Sequence, residues 1–312
     1  MSGWFNKSRS YSQELQKGDF EKRFSLKPPE VDSDETAVIR NASGLEYLES
    51  ARRRPGRPSA IAPFEDSVIN SCQPLPPQSD SKKLVGTLCR FVPEELILAV
   101  GGRHLRLCSG DFTCLSAAEE VLPRDICPLV KATYGGGLLD RNPVSQCDVI
   151  VVPATCDAKI KLAEILNDQL PVWLLDLPLR KRLETSHERF YQELCVLKDR
   201  LQNLTGNKVT RPLLREAIET IHRRQAAFRK IMRFQTTDPP LLSGRDMLII
   251  AQSSFSAEPE VWTSWAQDLI RELESMSPGR DAKSKSRPAR LLLTGAPVIW
   301  PNWKLPTLIE EA

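Results

Sequence analysis

Apolar and polar positions between residues 84 and 177 switch repeatedly between two periods. Short apolar runs of strand length fall at Leu84–Arg90, His104–Cys108, Asp148–Val152 and Val172–Leu177, most of them closed off by Gly, Pro, Asp or Ser, which predicts four strands. Between them Pro93–Val100, Ala117–Val121 and Ala158–Leu170 space their apolar residues as helices do. The run at Asp148–Val152 is apolar on both alternating sets of positions, the mark of a parallel strand covered on both faces. Strand and helix in alternation predict an α/β domain over residues 83–180, built on a four-stranded parallel sheet.

Beyond residue 180 the period changes. Arg182–Asn203, Pro212–Arg233, Ser243–Ala251 and Pro259–Met276 carry helical spacing, which predicts a helical subdomain over 181–285. A basic, Ser-containing linker, Asp281–Pro288, leads to a predicted strand Ala289–Thr294, a loop Gly295–Pro297 and a helix Leu305–Glu311. One strand and one helix cannot bury both faces of a sheet, so residues 286–312 are expected to be the start of a truncated second α/β domain. Residues 1–82 alternate polar and Pro-rich stretches and are expected to be an irregular N-terminal arm with one short helix near Gly44–Arg53. The basic cluster Arg52–Arg57 suits a phosphate contact or a solvated linker.

Charge narrows the function classes. The 312 residues hold 43 basic and 40 acidic side chains, a net +3, which gives no general reason to bind nucleic acid or an anionic membrane. No apolar run reaches the roughly 20 residues of a membrane span, and Met1–Arg9 lacks a signal-peptide hydrophobic region. A cytoplasmic protein is expected. Eight cysteines in such a chain favour metal binding or redox use over a disulfide framework. Cys108, Cys114 and Cys195 are expected to be small buried residues. The three histidines form no zinc pattern, and His187 and His222 are expected on solvated helix faces. No Walker or dinucleotide-binding glycine pattern is present.

Two cysteines stand apart. Cys127, in Leu122–Lys131, and Cys156, in Val151–Lys159, each begin a predicted helix, and Cys156 also follows a predicted strand. That junction is where α/β sheets place ligands, and the helix dipole there favours a thiolate. Their sulfurs are expected to converge on one pocket, and Cys89 suits a structural role or a reach to that site from its strand end. Glu94 and Glu95 open the helix after Pro93; they suit helix capping, or a general base acting on a substrate proton. Lys131 and the run Gly135–Gly137 suit a turn or a close approach to a phosphate.

Four stretches together carry a resemblance: Gly86–Ile97, Leu122–Lys131, Pro153–Lys159 and Arg290–Pro297, with Asn302–Lys304 soon after. In order and spacing the chain resembles the 2-hydroxyacyl-CoA dehydratase family, which includes the 2-hydroxyglutaryl-CoA dehydratase component D and the benzoyl-CoA reductase subunits. The likeness covers residues 83–312. It implies a 4Fe-4S cluster held by three cysteines with one iron open, two of them matching Cys127 and Cys156. The third family ligand lies in the second α/β domain, past Ala312. Ala296 stands where many relatives carry cysteine, and His104 where proline is commoner. The resemblance further implies an acyl-CoA substrate, a second dehydratase subunit and an ATP-dependent iron-sulfur activator protein. The implied reaction removes water from an (R)-2-hydroxyacyl-CoA through a ketyl radical. A benzoyl-CoA reductase-like or double-cubane-cluster reductase is one alternative, and an inactive truncated relative or scaffold another. The chain alone is expected to be inactive.

Overall fold

The computed structural model describes residues 44–71, 73–76, 82–178, 180, 183–276 and 289–312. The arm before residue 44 and the linker Asp281–Pro288 lie outside the described residues.

Four strands form one sheet: β1 (Leu84–Thr87), β2 (Arg103–Arg106), β3 (Val149–Pro153) and β4 (Val172–Leu175). Their order is β2-β1-β3-β4 and all three pairings are parallel. Val85 sits at the middle of the register, opposite His104 on one side and Val149 on the other. The strands are shorter than their apolar runs. At β1 the chain turns away at Cys89, whose φ is 65°, a left-handed backbone that ends the ladder.

Alternate residues of the central strands feed two different cores, as the two-residue period requires. Ile150 and Val152 face one layer with Leu84 and Leu105, and Val149 and Val151 face the other with Val85. The first layer is made by α4 (Leu115–Glu119), α5 (Pro128–Leu138) and α6 (Asp157–Leu166). The second is made by α3 (Glu94–Ala99) and α7 (Glu184–Thr205). Each Val, Leu or Ile so buried contributes about 1.5–3 kcal/mol of transfer free energy. The run Gly135–Gly137 is helical, inside α5. A β-carbon on Gly135 would lie 2.0 Å from the Cys114 carbonyl oxygen and one on Gly136 2.3 Å from Asn142 Nδ2, so these glycines serve helix packing rather than a turn.

A third core contains no strand and is built mainly on helices. It joins α8 (Arg211–Met232), α9 (Gly244–Ser253) and α10 (Pro259–Ser275) to α1 (44–52) and α2 (Ala62–Asn70). Residues 44–70, expected to be mostly irregular, therefore include two helices. Phe64 and Val68 are fully buried, and the Phe64 ring meets Trp262 edge-on at 5.6 Å. The basic cluster divides: Arg52 and Arg53 are exposed, while Arg54 and Arg57 are tied to buried acids. Arg54 Nη2 and Arg57 Nε reach the fully buried Asp246 at 2.6 and 2.7 Å. Arg52 Nε and Arg57 Nη2 reach Glu65 at 2.8 and 2.6 Å.

The expected strand Ala289–Thr294 does not form among the described residues. A strand exists through its pairing partners, and here Leu291 and Leu292 remain 70% and 90% exposed. Residues 299–303 are well packed. Trp300 and Trp303 are buried in the helical core with ring centroids 4.9 Å apart, and α11 (Lys304–Glu311) docks on α9 through Arg245 and Glu310 at 2.6 Å.

Sheet and helical layer are fastened at Glu94. Its two carboxylate oxygens accept from Arg224 of α8 at 2.8 and 2.6 Å. His104 Nδ1 lies 3.2 Å from the same carboxylate, and His104 Nε2 lies 2.8 Å from Thr87 Oγ1. Burial alone would raise the Glu94 pKa, but the hydrogen bonds and charges of His104 and Arg224 outweigh it and hold the group well below the ordinary carboxylate range. Removing one partner of such a pair strands a charge in the interior, so Arg224→Met should lower the unfolding free energy by about 3–5 kcal/mol in urea titrations. The pH dependence follows from the depressed folded value. The stabilisation is complete above the unfolded value of 4.5 and is lost as pH falls below it. Between about pH 7 and about pH 3, wild-type stability should fall more steeply than that of Glu94→Gln.

Candidate functional site

In a parallel sheet whose strand order reverses direction, the loops leaving two neighbouring strands part to opposite sides and leave a crevice at their carboxyl ends. Here β1 connects onward to β2 and β3 to β4, so the crevice opens between β1 and β3. Cysteines collect along this edge. Cys89 lies two residues past β1, Cys108 two residues past β2 and Cys156 three residues past β3. Cys127 joins them because α5 leads back to β3 and must therefore start at the same edge.

Cys127 and Cys156 occupy the N-cap positions of α5 and α6, and both are exposed. Neither side chain caps its helix, so both sulfurs stay available, with the positive ends of two helix dipoles behind them. Pro128 fills the first position of α5, where no backbone donor is needed. Cys127 and Cys156 are thus presented at the sheet edge, not packed in separate apolar cores.

Cys108, expected to be a packing residue, is half-buried instead, and it belongs to this edge. Burial, reinforced by the Cys127 and Cys89 sulfurs, pushes its thiol up to about 12. The sequence signal for it is its place just past a strand end, shared with Cys89 and Cys156. Cys147 lies at the amino end of β3, on the opposite edge; a β-carbon on Gly86 would meet its sulfur at 2.8 Å. Cys114 is buried against Asp111, its thiol pushed up to about 11 by burial and that carboxylate. Cys195 is half-buried in α7, away from this edge. Among the described residues no three His, Cys, Asp or Glu side chains gather as a metal-ligand set.

Glu94 is taken up by Arg224 and His104. Glu95, half-buried, sits in the first turn of α3. Lys131 is buried, donating to Glu119 Oε1 at 2.6 Å and to the Arg124 carbonyl at 2.7 Å. It braces the loop that leads into Cys127 and is not offered to a ligand phosphate. His187 and His222 lie in α7 and α8, both on exposed positions. The residue missed altogether is Arg106, the last of β2, whose guanidinium lies 4.9 Å from the Phe255 ring centre.

A profile described as 2-hydroxyglutaryl-CoA dehydratase, D-component, matches residues 89–312. The chain belongs to that family. The D-component match takes in every cysteine of the sheet edge. Among similar proteins is the putative dehydratase subunit YjiM of Escherichia coli K12, 31% identical over 236 residues, covering 73% of this chain and 60% of that protein. The beta subunit of (R)-2-hydroxyglutaryl-CoA dehydratase from Acidaminococcus fermentans is 21% identical over 210 residues, covering 65% of this chain and 54% of that subunit. A benzoyl-CoA reductase subunit of Thauera aromatica is 21% identical over 211 residues, with 66% and 54% covered. The chain thus spans between 54% and 60% of the length of these relatives. No helix among the described residues is long and apolar enough to cross a membrane.

Exposure and thiol chemistry together order the cysteines. On brief treatment of the native chain with iodoacetamide at about pH 7.5, roughly one unit below the ordinary thiol pKa, Cys127 and Cys156 should be alkylated first. Cys114 and Cys147, whose thiols burial pushes up to about 11 and about 12, should react only after denaturation. Peptide mass spectrometry reads the order directly, and early labelling of Cys147 would contradict the fold.

Proposed function

We propose that this chain is a subunit of a 2-hydroxyacyl-CoA dehydratase, and that Cys127 and Cys156 are its thiolate ligands to a 4Fe-4S cluster. The observation that carries the proposal is the pairing of two exposed cysteines, each at the N-cap of a helix, on the carboxyl edge of one parallel sheet. Family membership and a likeness to dehydratase and reductase subunits support the reading. The donor set fits the group as far as it goes. Thiolates suit iron–sulfur binding, both sulfurs are uncommitted to their own helices, and two thiolates leave the rest of the coordination to further donors.

When bound, such a cluster supplies Lewis acidity and one-electron chemistry for removal of the hydroxyl from a 2-hydroxyacyl thioester, by way of a substrate ketyl radical. The protein's own contribution is position and environment. Helices α5 and α6 hold the two sulfurs at their N-caps, exposed at the sheet edge. Lys131 fixes the loop before Cys127 through Glu119 and the Arg124 carbonyl. Glu94, committed to Arg224, acts here as a strut, and Glu95 is the carboxylate we retain for proton transfer. A second subunit, an ATP-dependent iron-sulfur activator protein and an acyl-CoA substrate complete the proposed system, in the cytoplasm.

A second proposal follows from Cys89 and Cys108. Two further thiols on the same edge suit a low-potential reductase of the benzoyl-CoA reductase or double-cubane type, whose larger cluster would draw on them.

Anaerobic reconstitution of the wild-type chain, Cys127→Ser and Cys156→Ser, followed by iron and sulfide analysis and EPR, tests both. The dehydratase proposal expects about four irons per chain in the wild type and a loss of most of that iron in either variant, as for removal of a cubane ligand. Equal iron in all three would remove both residues from the site. A content near eight, dependent also on Cys89 and Cys108, would favour the reductase, on the order of two cubanes.

A further inference from the structure

Arg106 presents a charge without a visible counterpart. It ends β2 at the same edge as the four cysteines. Its Nε is out of solvent with no hydrogen-bond partner, and among the described residues no carboxylate approaches it as an ion pair. The acid that acts on it most is Glu94. That carboxylate, however, already gives both oxygens to Arg224. Further charge around Arg106 is positive. Arg90 and Arg224 both act on it, and Lys159 acts with it on Cys108.

The side chain is also held in place. The Arg106 backbone N–H donates to the Phe255 carbonyl at 2.8 Å, and the guanidinium lies over that same residue's ring at 4.9 Å. The sulfurs within its electrostatic reach are Cys89 and Cys108, and Cys108 in turn is within reach of Cys127. Arg106 is half-buried, and a guanidinium whose Nε is out of water with no partner favours an anion beside it. The feature of this edge that brings negative charge is its thiols, once they are ionised on a metal.

We propose that Arg106 is a positioning residue of the site, supplying the counter-charge for an anionic, thiolate-ligated iron–sulfur group held by Cys127 and Cys156. This rests on the proposed assignment of those two ligands. A fixed cation beside a cluster favours its more negative, reduced form, and so raises the reduction potential. Phe255 matters because it keeps the guanidinium from swinging away to solvent.

The experiment compares the reconstituted 312-residue chain with Arg106→Gln, Arg106→Lys and, as a control on the exposed face of α10, Arg271→Gln. Each is characterised by iron and sulfide content, EPR-monitored redox titration, and the rate of iron loss to a chelator. Arg106→Gln should bind iron but titrate at a more negative potential, and lose iron about tenfold faster, the scale expected of an outer-shell partner. Arg106→Lys, which keeps the charge, should stay near the wild-type potential, and Arg271→Gln should be unchanged. A folded Arg106→Gln with wild-type potential and wild-type iron loss would overturn the proposal. If Arg106→Gln does not fold, Arg106→Lys decides: a potential as unaltered as that of Arg271→Gln supports the charge, and a clear negative shift with iron retained overturns it. Failure of the wild type itself to take up iron would overturn the ligand assignment and this proposal together, and would be visible before any Arg106 variant is made.

Discussion

A buried ion pair between Glu94 and Arg224 fastens the sheet to the helical layer. Glu94 opens α3 against the sheet, and Arg224 lies in the middle of α8 in the helical layer, 130 residues later in the chain. Their bidentate contact is extended through His104 to Thr87, so the last residue of β1, the body of β2 and two helices meet at one carboxylate. Charge buried so deeply is tolerated only when it is fully paired. Helix α8 is therefore fixed in rotation as well as position, since turning it would withdraw the guanidinium. The sheet edge that carries the cysteines is built on this fastening, because Thr87 and His104 lie two and four residues before Cys89 and Cys108 respectively.

The sheet is the part that the chain's patterning displays most openly. Val149–Val152 must be covered on both sides, and parallel topology follows from the helices between the strands. The positions of Cys127 and Cys156 were legible for the same reason: a thiol at a helix start, and for Cys156 also just past a strand, is placed by local periodicity alone. Glu94 shows where that legibility stops. A carboxylate in a first helical turn looks the same whether it caps the helix, takes a proton or awaits an arginine from a distant helix. The cluster Arg52–Arg57 was opaque in the same way, since Asp246 is nearly 190 residues away along the chain. Local pattern cannot see a partner that only folding supplies.

Strand length and existence failed for a different reason. The run Ala289–Thr294 has the residues of a strand, with three leucines in succession, yet leaves Leu292 90% exposed. Composition sets the propensity, but a ladder requires a neighbour at the right distance. The strand before Cys89 falls short for a related reason: the backbone there adopts a φ of 65°, uncommon for a residue with a β-carbon and concentrated at functional positions. That turn points the chain out of the sheet at the switch between β1 and β3.

The tight contact between Gly110 and the tail of the chain has its own consequence. A β-carbon at Gly110 would lie 2.0 Å from the Ile299 carbonyl oxygen, and the Gly110 N–H donates to the Trp300 carbonyl at 2.9 Å. Gly110 is two residues from Cys108, while Trp300 is anchored in the helical core beside Trp303. The two backbones are therefore in direct contact, with no side chain between them to absorb a change. During divergence neither position is free to drift by itself. A larger residue at 110 demands a displaced carbonyl at 299, and a shifted tail reshapes the loop beside the thiols, so variation at these two points should be inherited as a unit.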